Sequence, residues 1–152
     1  MIQLTLPAAL LANGLCAGVL VGSTLGVVPY YRTLPEGDYI RAHAFSVGRY
    51  DPFQPICLLI TVVADVAAAI TADGAARLLC AAAAALALAV VAVTLTRNLP
   101  MNRRIQRIVP HAPLAGFQAG PFLRRWARWN TLRTTLAALA LLLNVSAAGV
   151  LL

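Results

Sequence analysis

Four long apolar runs divide this chain: Leu4–Tyr30, Phe53–Ala72, Ala75–Leu95 and Leu132–Leu152. Each holds about 20 residues or more, enough helix to cross a hydrocarbon core of roughly 30 Å. A backbone in lipid has no water to satisfy its amides, so the runs must be helices that bond within themselves. The pattern predicts an all-α, polytopic membrane four-helix bundle spanning residues 1–152 as a single membrane domain. Hydrophobic residues make up 61% of the sequence and the mean hydropathy is +0.80, which excludes an ordinary soluble fold.

Charge sets the orientation. There is no lysine, and eleven of the twelve arginines lie in two stretches, Arg32–Arg49 and Arg97–Arg133, that separate the runs. Short arginine-rich loops stay in the cytoplasm, so both termini are expected outside, with the turn Thr71–Arg77. The net charge of +7 is then a topology signal that also attracts anionic headgroups, and no nucleic-acid partner is expected. High alanine and arginine usage without lysine suggests a GC-rich genome and a bacterial inner membrane. The first charged side chain is Arg32; without a positive n-region, no cleavable signal peptide is expected. Cys16, Cys57 and Cys80 lie within apolar runs, with no C-x-x-C spacing, and read as reduced packing residues.

Gly14, Gly18, Gly22 and Gly26 recur every four residues along the first run. Such a stripe lets another backbone approach closely; its partner is either the small Ala81–Ala85 segment, the favoured choice, or a second copy in a homo-oligomer. The first helix is expected to end near Pro29 and the third at Pro100, because proline breaks the hydrogen-bond ladder. Pro52 and Pro55 suit the start of the second. Asp38–Tyr50, Asn102–Ile108 and Phe122–Arg128 read as short surface helices in the two cytoplasmic loops, with irregular chain around Pro110, Pro113, Gly116, Gly120 and Pro121.

Two sets of polar residues could carry chemistry. Asn13, Asp65 and Asn144 lie inside the apolar runs, where a carboxylate costs several kcal/mol unless paired, protonated or hydrated. They form either helix-bridging hydrogen bonds or a transport pathway. The second set gathers at the cytoplasmic end: His43, Tyr50 and Asp51 after the first run, Asn98 and Asn102 flanking Pro100, and Trp126, Trp129, Asn130 and Arg133 leading into the last. Asn130 and Arg133, three apart, share a helix face. Together they could line a cavity with apolar walls, one guanidinium, several amides and one imidazole, suited to a flat amphipathic ligand that is anionic or enolisable. The bland alternatives are helix caps, interfacial anchors and an arginine snorkelling to phosphate. His43 and His111 alone, with no His-x-x-x-His and no cysteine cluster, leave a metal site unsupported. The sequence shows no obvious haem axial pair or nucleotide-binding glycine loop, so no cofactor is expected.

Pro29-Tyr30-Tyr31, Arg41-x-His43, Arg49-Tyr50-Asp51-Pro52, Asn98-x-Pro100-x-Asn102 and Trp126-x-x-Trp129-Asn130-x-x-Arg133 resemble the anthrone-oxygenase-like family of small integral membrane proteins over nearly the whole chain. The resemblance implies oxidation of a polycyclic anthrone, of the kind polyketide chemistry supplies, by dioxygen without a recognised cofactor. It makes His43 the general base oriented by Asp51, Arg133 with Asn98, Asn102 and Asn130 the anion-stabilising donors, and Trp126 and Trp129 the stacking faces. Asn130 stands where a histidine is expected in some relatives, so the acid–base role has either moved to His43 or been lost. Besides this enzyme, the residues allow a non-catalytic protein that binds a lipophilic ligand or partner, or a small transporter built on Asp65, Asn13 and Asn144.

Overall fold

The computed structural model describes residues 1–51, 53–108 and 117–152; Pro52 and the Pro110–Gly116 stretch, with His111, fall outside them. Four helices long and apolar enough to span a membrane are present: α1 (Ile2–Thr33), α3 (Phe53–Thr71), α4 (Gly74–Ile108) and α5 (Ala119–Leu151). A surface helix, α2 (Glu36–Tyr50), follows α1. The described residues contain no strand. This is an integral membrane protein, and its long helices contact lipid along their outer faces.

The spanning helices form a closed ring in which α1 packs on α3 and α5, and α4 packs on α3 and α5. Their interior is built of small residues. Ala9, Ala12, Ala68, Ala83, Ala137, Ala140 and Ala147 are buried, whereas Leu4, Leu11, Leu59, Leu78 and Leu142 face outward. In lipid no hydrophobic effect drives helices together, so close backbone approach through small side chains supplies the dispersion contacts. The glycine stripe does not take part in this packing. A Cβ added at Gly14, Gly18, Gly22 or Gly26 would meet nothing within 4 Å, and α1 and α4 sit across the ring from one another, so the expected pairing with Ala81–Ala85 does not occur. The stripe lies on the outside of the bundle.

Helices α1 and α4 also run past the prolines expected to end them. In each, a single π-turn precedes the proline: Ser23–Val27 before Pro29, and Thr94–Asn98 before Pro100. The Val28 N–H donates to the Ser23 carbonyl and the Leu99 N–H to the Thr94 carbonyl, both five residues back. One extra residue in the turn relieves the carbonyl that would otherwise clash with the proline ring, so the helix continues. Asn102–Ile108 is therefore the end of α4 and not a separate surface helix. Likewise Phe122–Arg128 belongs to α5, whose 33 residues extend about 50 Å at 1.5 Å per residue, well beyond the hydrocarbon core. Gly120 and Pro121 lie in the first turn of this helix, which starts at Ala119, and not in irregular chain.

Of the predicted surface helices, α2 alone is separate. It begins after Pro35 with Glu36 and Asp38 in its first turn, where carboxylates favour the positive end of the helix dipole. Its buried face (Tyr39, Ile40, His43, Val47) closes the arginine-rich end of the bundle, in a cluster with Tyr31, Ile105, Ile108, Phe122 and Trp126. At the opposite end Leu6, Ala68, Cys80 and Ala147 pack together, and Gly74 (φ +56°) makes the turn into α4. With the arginine-rich end in the cytoplasm, a cysteine placed at Asp73 is expected to react with a membrane-impermeant maleimide in intact cells, and one at Arg41 only after lysis. The native cysteines are buried and give little background; the reverse labelling pattern would invert the orientation.

Candidate functional site

The two π-turns converge on one residue pair. Asn130 of α5 donates from Nδ2 to Thr24 Oγ1 (3.1 Å) and Ser23 Oγ (3.3 Å) of the first π-turn. Its Oδ1 accepts from an Arg133 terminal nitrogen at 2.8 Å. Another Arg133 nitrogen donates to Thr94 Oγ1 of the second π-turn at 3.3 Å. Thr134 joins the network through Thr24 Oγ1 (2.8 Å). Arg133 is thus held inside the bundle by neutral oxygens, only 5% exposed, and its Nε has no hydrogen-bond partner among the described residues. A buried guanidinium without a bonded carboxylate is costly unless something anionic completes it.

Arg133 stands at the polar end of a chamber of about 320 Å³ whose other walls are mostly apolar, including Cys16, Leu20, Leu58, Val62, Val90 and Val91. Asp51, Gln54 and Asn102 share the polar end. Leu59, Leu88 and Leu95 line the chamber and are also exposed on the outside of the bundle, so it opens sideways towards lipid at the α3–α4 side. Its volume lies at the lower end of the range for small-molecule sites. Asp51, Gln54, Asn102, Leu20 and Arg133 also line a recess of about 30 Å³, enough for roughly one water. His43, Tyr50, Ser23, Trp126 and Asn130 are also among its lining residues.

His43 sits in an aromatic cage. Tyr31 stacks on it (centroids 5.3 Å, 27° between planes), and Trp126 meets it edge-on at 4.5 Å. The Tyr39 hydroxyl lies 3.0 Å from Nδ1, an i, i+4 pair along α2, so Tyr39 and not Asp51 orients the ring. Nε2 has no hydrogen-bond partner among the described residues. The Asn102 carboxamide lies beside the ring and accepts a 2.9 Å bond from Trp126 Nε1. Burial pushes the imidazole pKa down to about 4, with Asn102 offsetting part of the effect, so His43 is neutral at ordinary pH. Burial also raises the Tyr39 phenol, which stays protonated. Asp51 is raised as well by burial, against the opposing influence of Arg133, Arg103 and Asn102.

The structure therefore brings His43, Tyr50, Asp51, Asn102, Trp126, Asn130 and Arg133 around one cavity system. Trp129 is not among them. It lies on the outer side of α5 with Arg97 over its ring at 4.8 Å, and it cannot stack on a ligand in the chamber. Asn98 is fully buried in the second π-turn, its amide without a partner among the described residues, and it does not line the chamber or the recess. Asn13 bridges to the α5 backbone: in the amide orientation its neighbours require, Nδ2 donates to the Ala137 carbonyl (3.2 Å) and Oδ1 accepts from the Leu141 N–H (2.9 Å). Asp65 and Asn144 lie side by side deep in the bundle, although neither makes a well-formed hydrogen bond among the described residues. Sequence reasoning missed Ser23, Thr24, Thr94, Tyr39 and Gln54. One signal was available: Ser23 and Thr94 each stand six residues before a proline, Pro29 and Pro100.

The fold and cavity together define a small integral membrane protein with a lipid-facing chamber ending in a buried arginine and a caged, neutral histidine. The chain belongs to the anthrone oxygenase family, whose model matches residues 42–143. The matched region starts just before His43 and includes Asp51, Asn102, Asn130 and Arg133, while Ser23 and Thr24 lie outside it. Family membership supports an oxygenase-like function. No curated protein and no solved structure matches the chain.

The Arg133 network predicts graded losses. Thr94→Val removes one hydroxyl contact to a charged group and is expected to lower stability by about 1.5–3 kcal/mol. Asn130→Ala removes contacts to Ser23, Thr24 and Arg133 and should cost more. Thermal unfolding of the detergent-solubilised protein measures both; equal, negligible losses would show that the network does not hold the bundle.

Proposed function

We propose that this protein oxidises an anthrone-like polycyclic phenol with dioxygen inside the lipid-facing chamber. The observation that carries this reading is Arg133, whose buried guanidinium keeps Nε unpartnered at the polar end of an apolar cavity. A neutral polycycle can enter such a cavity from the bilayer, and its enolate can pair with the arginine once formed. Dioxygen, being soluble in hydrocarbon, can arrive by the same opening.

In the proposed reaction His43 Nε2 takes a proton from the acidic ring methylene, directly or through one water in the small recess. This requires the tautomer in which Nδ1–H donates to the Tyr39 oxygen. The electron pair left on carbon delocalises onto the carbonyl oxygen, and Arg133 and the Asn102 amide stabilise that enolate as preorganised donors. The enolate gives one electron to dioxygen, and the radical pair closes a carbon–oxygen bond to form a peroxide. The peroxide takes a proton from the imidazolium. Loss of the second hydrogen from the same carbon as the O–O bond breaks then leaves a new carbonyl and water. One dioxygen is consumed; one of its atoms enters the product and the other leaves as water. The four electrons that reduce it come from the substrate carbon, so the balance needs no further reductant.

Asn130 acts in this reading by holding Arg133, and Trp126 by packing His43 and bonding Asn102. Asp51 adds a polar group to the chamber's end. The alternative is a protein that binds a polycycle in the same chamber without turning it over.

Dioxygen uptake with a panel of anthrones, corrected for autoxidation, tests the proposal. His43→Ala and Arg133→Ala are each expected to lower turnover by about 100-fold or more, in line with loss of a general base or of an oxyanion donor. Tyr39→Phe should cost about tenfold, through the imidazole tautomer. Uptake no faster than autoxidation in folded protein that still binds the anthrone would leave the binding reading standing. The pH profile adds a second check. Only the neutral imidazole can accept the proton, and half of it is protonated at about pH 4. The acid limb of kcat/KM is therefore expected near pH 4, with a plateau above about pH 5; a limb near 6.5 would point to a solvated base elsewhere.

A further inference from the structure

Eight arginines lie between Arg97 and Arg133, and no carboxylate follows Asp73 anywhere in the sequence. Among the described residues the ion pairs are Asp38 with Arg41 and Asp73 with Arg77, neither of which uses these arginines; Glu36 shares a neighbouring groove with Arg124, and Asp51 faces Arg133 and Arg103. Where α4 and α5 leave the membrane, a groove of about 430 Å³ is lined by Arg97, Arg104 and Arg125 together with Phe117 and Trp129. A second groove of about 480 Å³ is lined by Arg124, Arg125, Arg128 and Leu132. The two share Arg125, Pro121 and Trp129.

Two of the three guanidiniums of the first groove are held in place. Arg97 lies over the Trp129 ring at 4.8 Å and Arg104 over Phe117 at 5.8 Å. Stacking fixes the plane of a guanidinium and leaves its in-plane N–H groups free to bind an oxyanion. Towards the membrane centre, exposed Leu132 continues the same surface. The result is two adjoining cationic grooves joined by one arginine, set above an apolar surface at headgroup level.

We propose that these grooves form a binding site for an anionic phospholipid that carries two phosphate groups, one phosphate per groove. Arg125 contacts both, and the acyl chains lie along α5 over Leu132. A doubly anionic headgroup matches this geometry better than a single phosphate, which can occupy only one groove. Basic pockets between spanning helices are suited to such headgroups. Bound there, the lipid would bridge the outer ends of the two helices that carry Thr94 and Arg133.

The test is native mass spectrometry of the full-length protein in detergent, titrated with diphosphatidylglycerol, phosphatidylglycerol or phosphatidylcholine, with inorganic phosphate as competitor. Diphosphatidylglycerol is expected to bind at least about tenfold more tightly than phosphatidylglycerol at equal phosphate. Arg125→Gln should weaken it by about tenfold or more, the effect of losing a charge-assisted contact. Arg49→Gln, an exposed arginine elsewhere at the same end, should leave binding within about twofold, since a distant charge adds only general attraction. Equal binding of the two anionic lipids at matched phosphate, or equal losses from Arg125→Gln and Arg49→Gln, would reduce the site to general surface charge and overturn the proposal. Displacement by millimolar inorganic phosphate would overturn the lipid as occupant. If Arg125→Gln does not fold by size exclusion, Arg97→Gln is read against Arg49→Gln with the same expectation, and the wild-type lipid preference decides independently.

Discussion

The bond between Asn130 and Arg133 organises this molecule. A guanidinium costs on the order of 2.5–3.5 kcal/mol at the bilayer centre and less at the start of the last apolar run, where Arg133 lies, and hydrogen bonds to a charged group return about 1.5–3 kcal/mol each. Bonds from Asn130 and Thr94 are therefore enough to keep Arg133 inside without a salt bridge. That balance matters for chemistry. A bonded carboxylate would satisfy the charge more completely and leave nothing for a ligand. Neutral partners hold the side chain in place and leave its field available.

The same network explains why both prolines are preceded by π-turns. Ser23 and Thr24 reach Asn130 from α1, while Thr94 reaches Arg133 from α4. The rings of Pro29 and Pro100 each demand a local departure from α-geometry, and the widened turn that accommodates them places hydroxyls on opposite sides of α5. Fold and site thus share one device. Small residues at the helix interfaces supply the other half of the arrangement. Alanines let the helices close on one another, and the chamber forms on the α3–α4 side, where Leu58, Leu59, Leu88 and Leu95 meet around it.

The spans were legible because hydropathy reports burial in lipid directly. Helix ends were not, for a physical reason. Polarity marks where the membrane stops, but a helix stops only where its ladder is broken. Trp129-Asn130-Thr131 is polar without breaking anything, so α5 runs on from Ala119. Pro100 breaks one bond, and a single extra residue absorbs the break. His43, Asn102 and Arg133 could be singled out because they gather at one end of the spans and lie in the motifs that carry the family resemblance. Thr94, Ser23 and Thr24 could not be found on that basis, since hydroxyls commonly bond back to their own helix, as Thr96 does to the Ala92 carbonyl. Trp126 and Trp129, three apart, are about 60° apart around the helix. That offset is enough for Trp126 to face His43 while Trp129 supports Arg97 on the outside.

The low basicity of His43 fits the proposed chemistry better than it first suggests. Its cage of Tyr31, Tyr39 and Trp126 disfavours an isolated imidazolium, which is why burial pushes its pKa down to about 4. Proton transfer from a polycyclic phenol would not create an isolated charge. It would create the imidazolium and an enolate together, within a cavity system lined by Arg133. The pair attract one another more strongly there than in water, and the guanidinium stabilises the enolate further. A base that is weak without substrate would then become adequate when the acid it must ionise occupies the chamber. The resting site would stay uncharged at His43, with Nε2 open to the proton it is meant to accept.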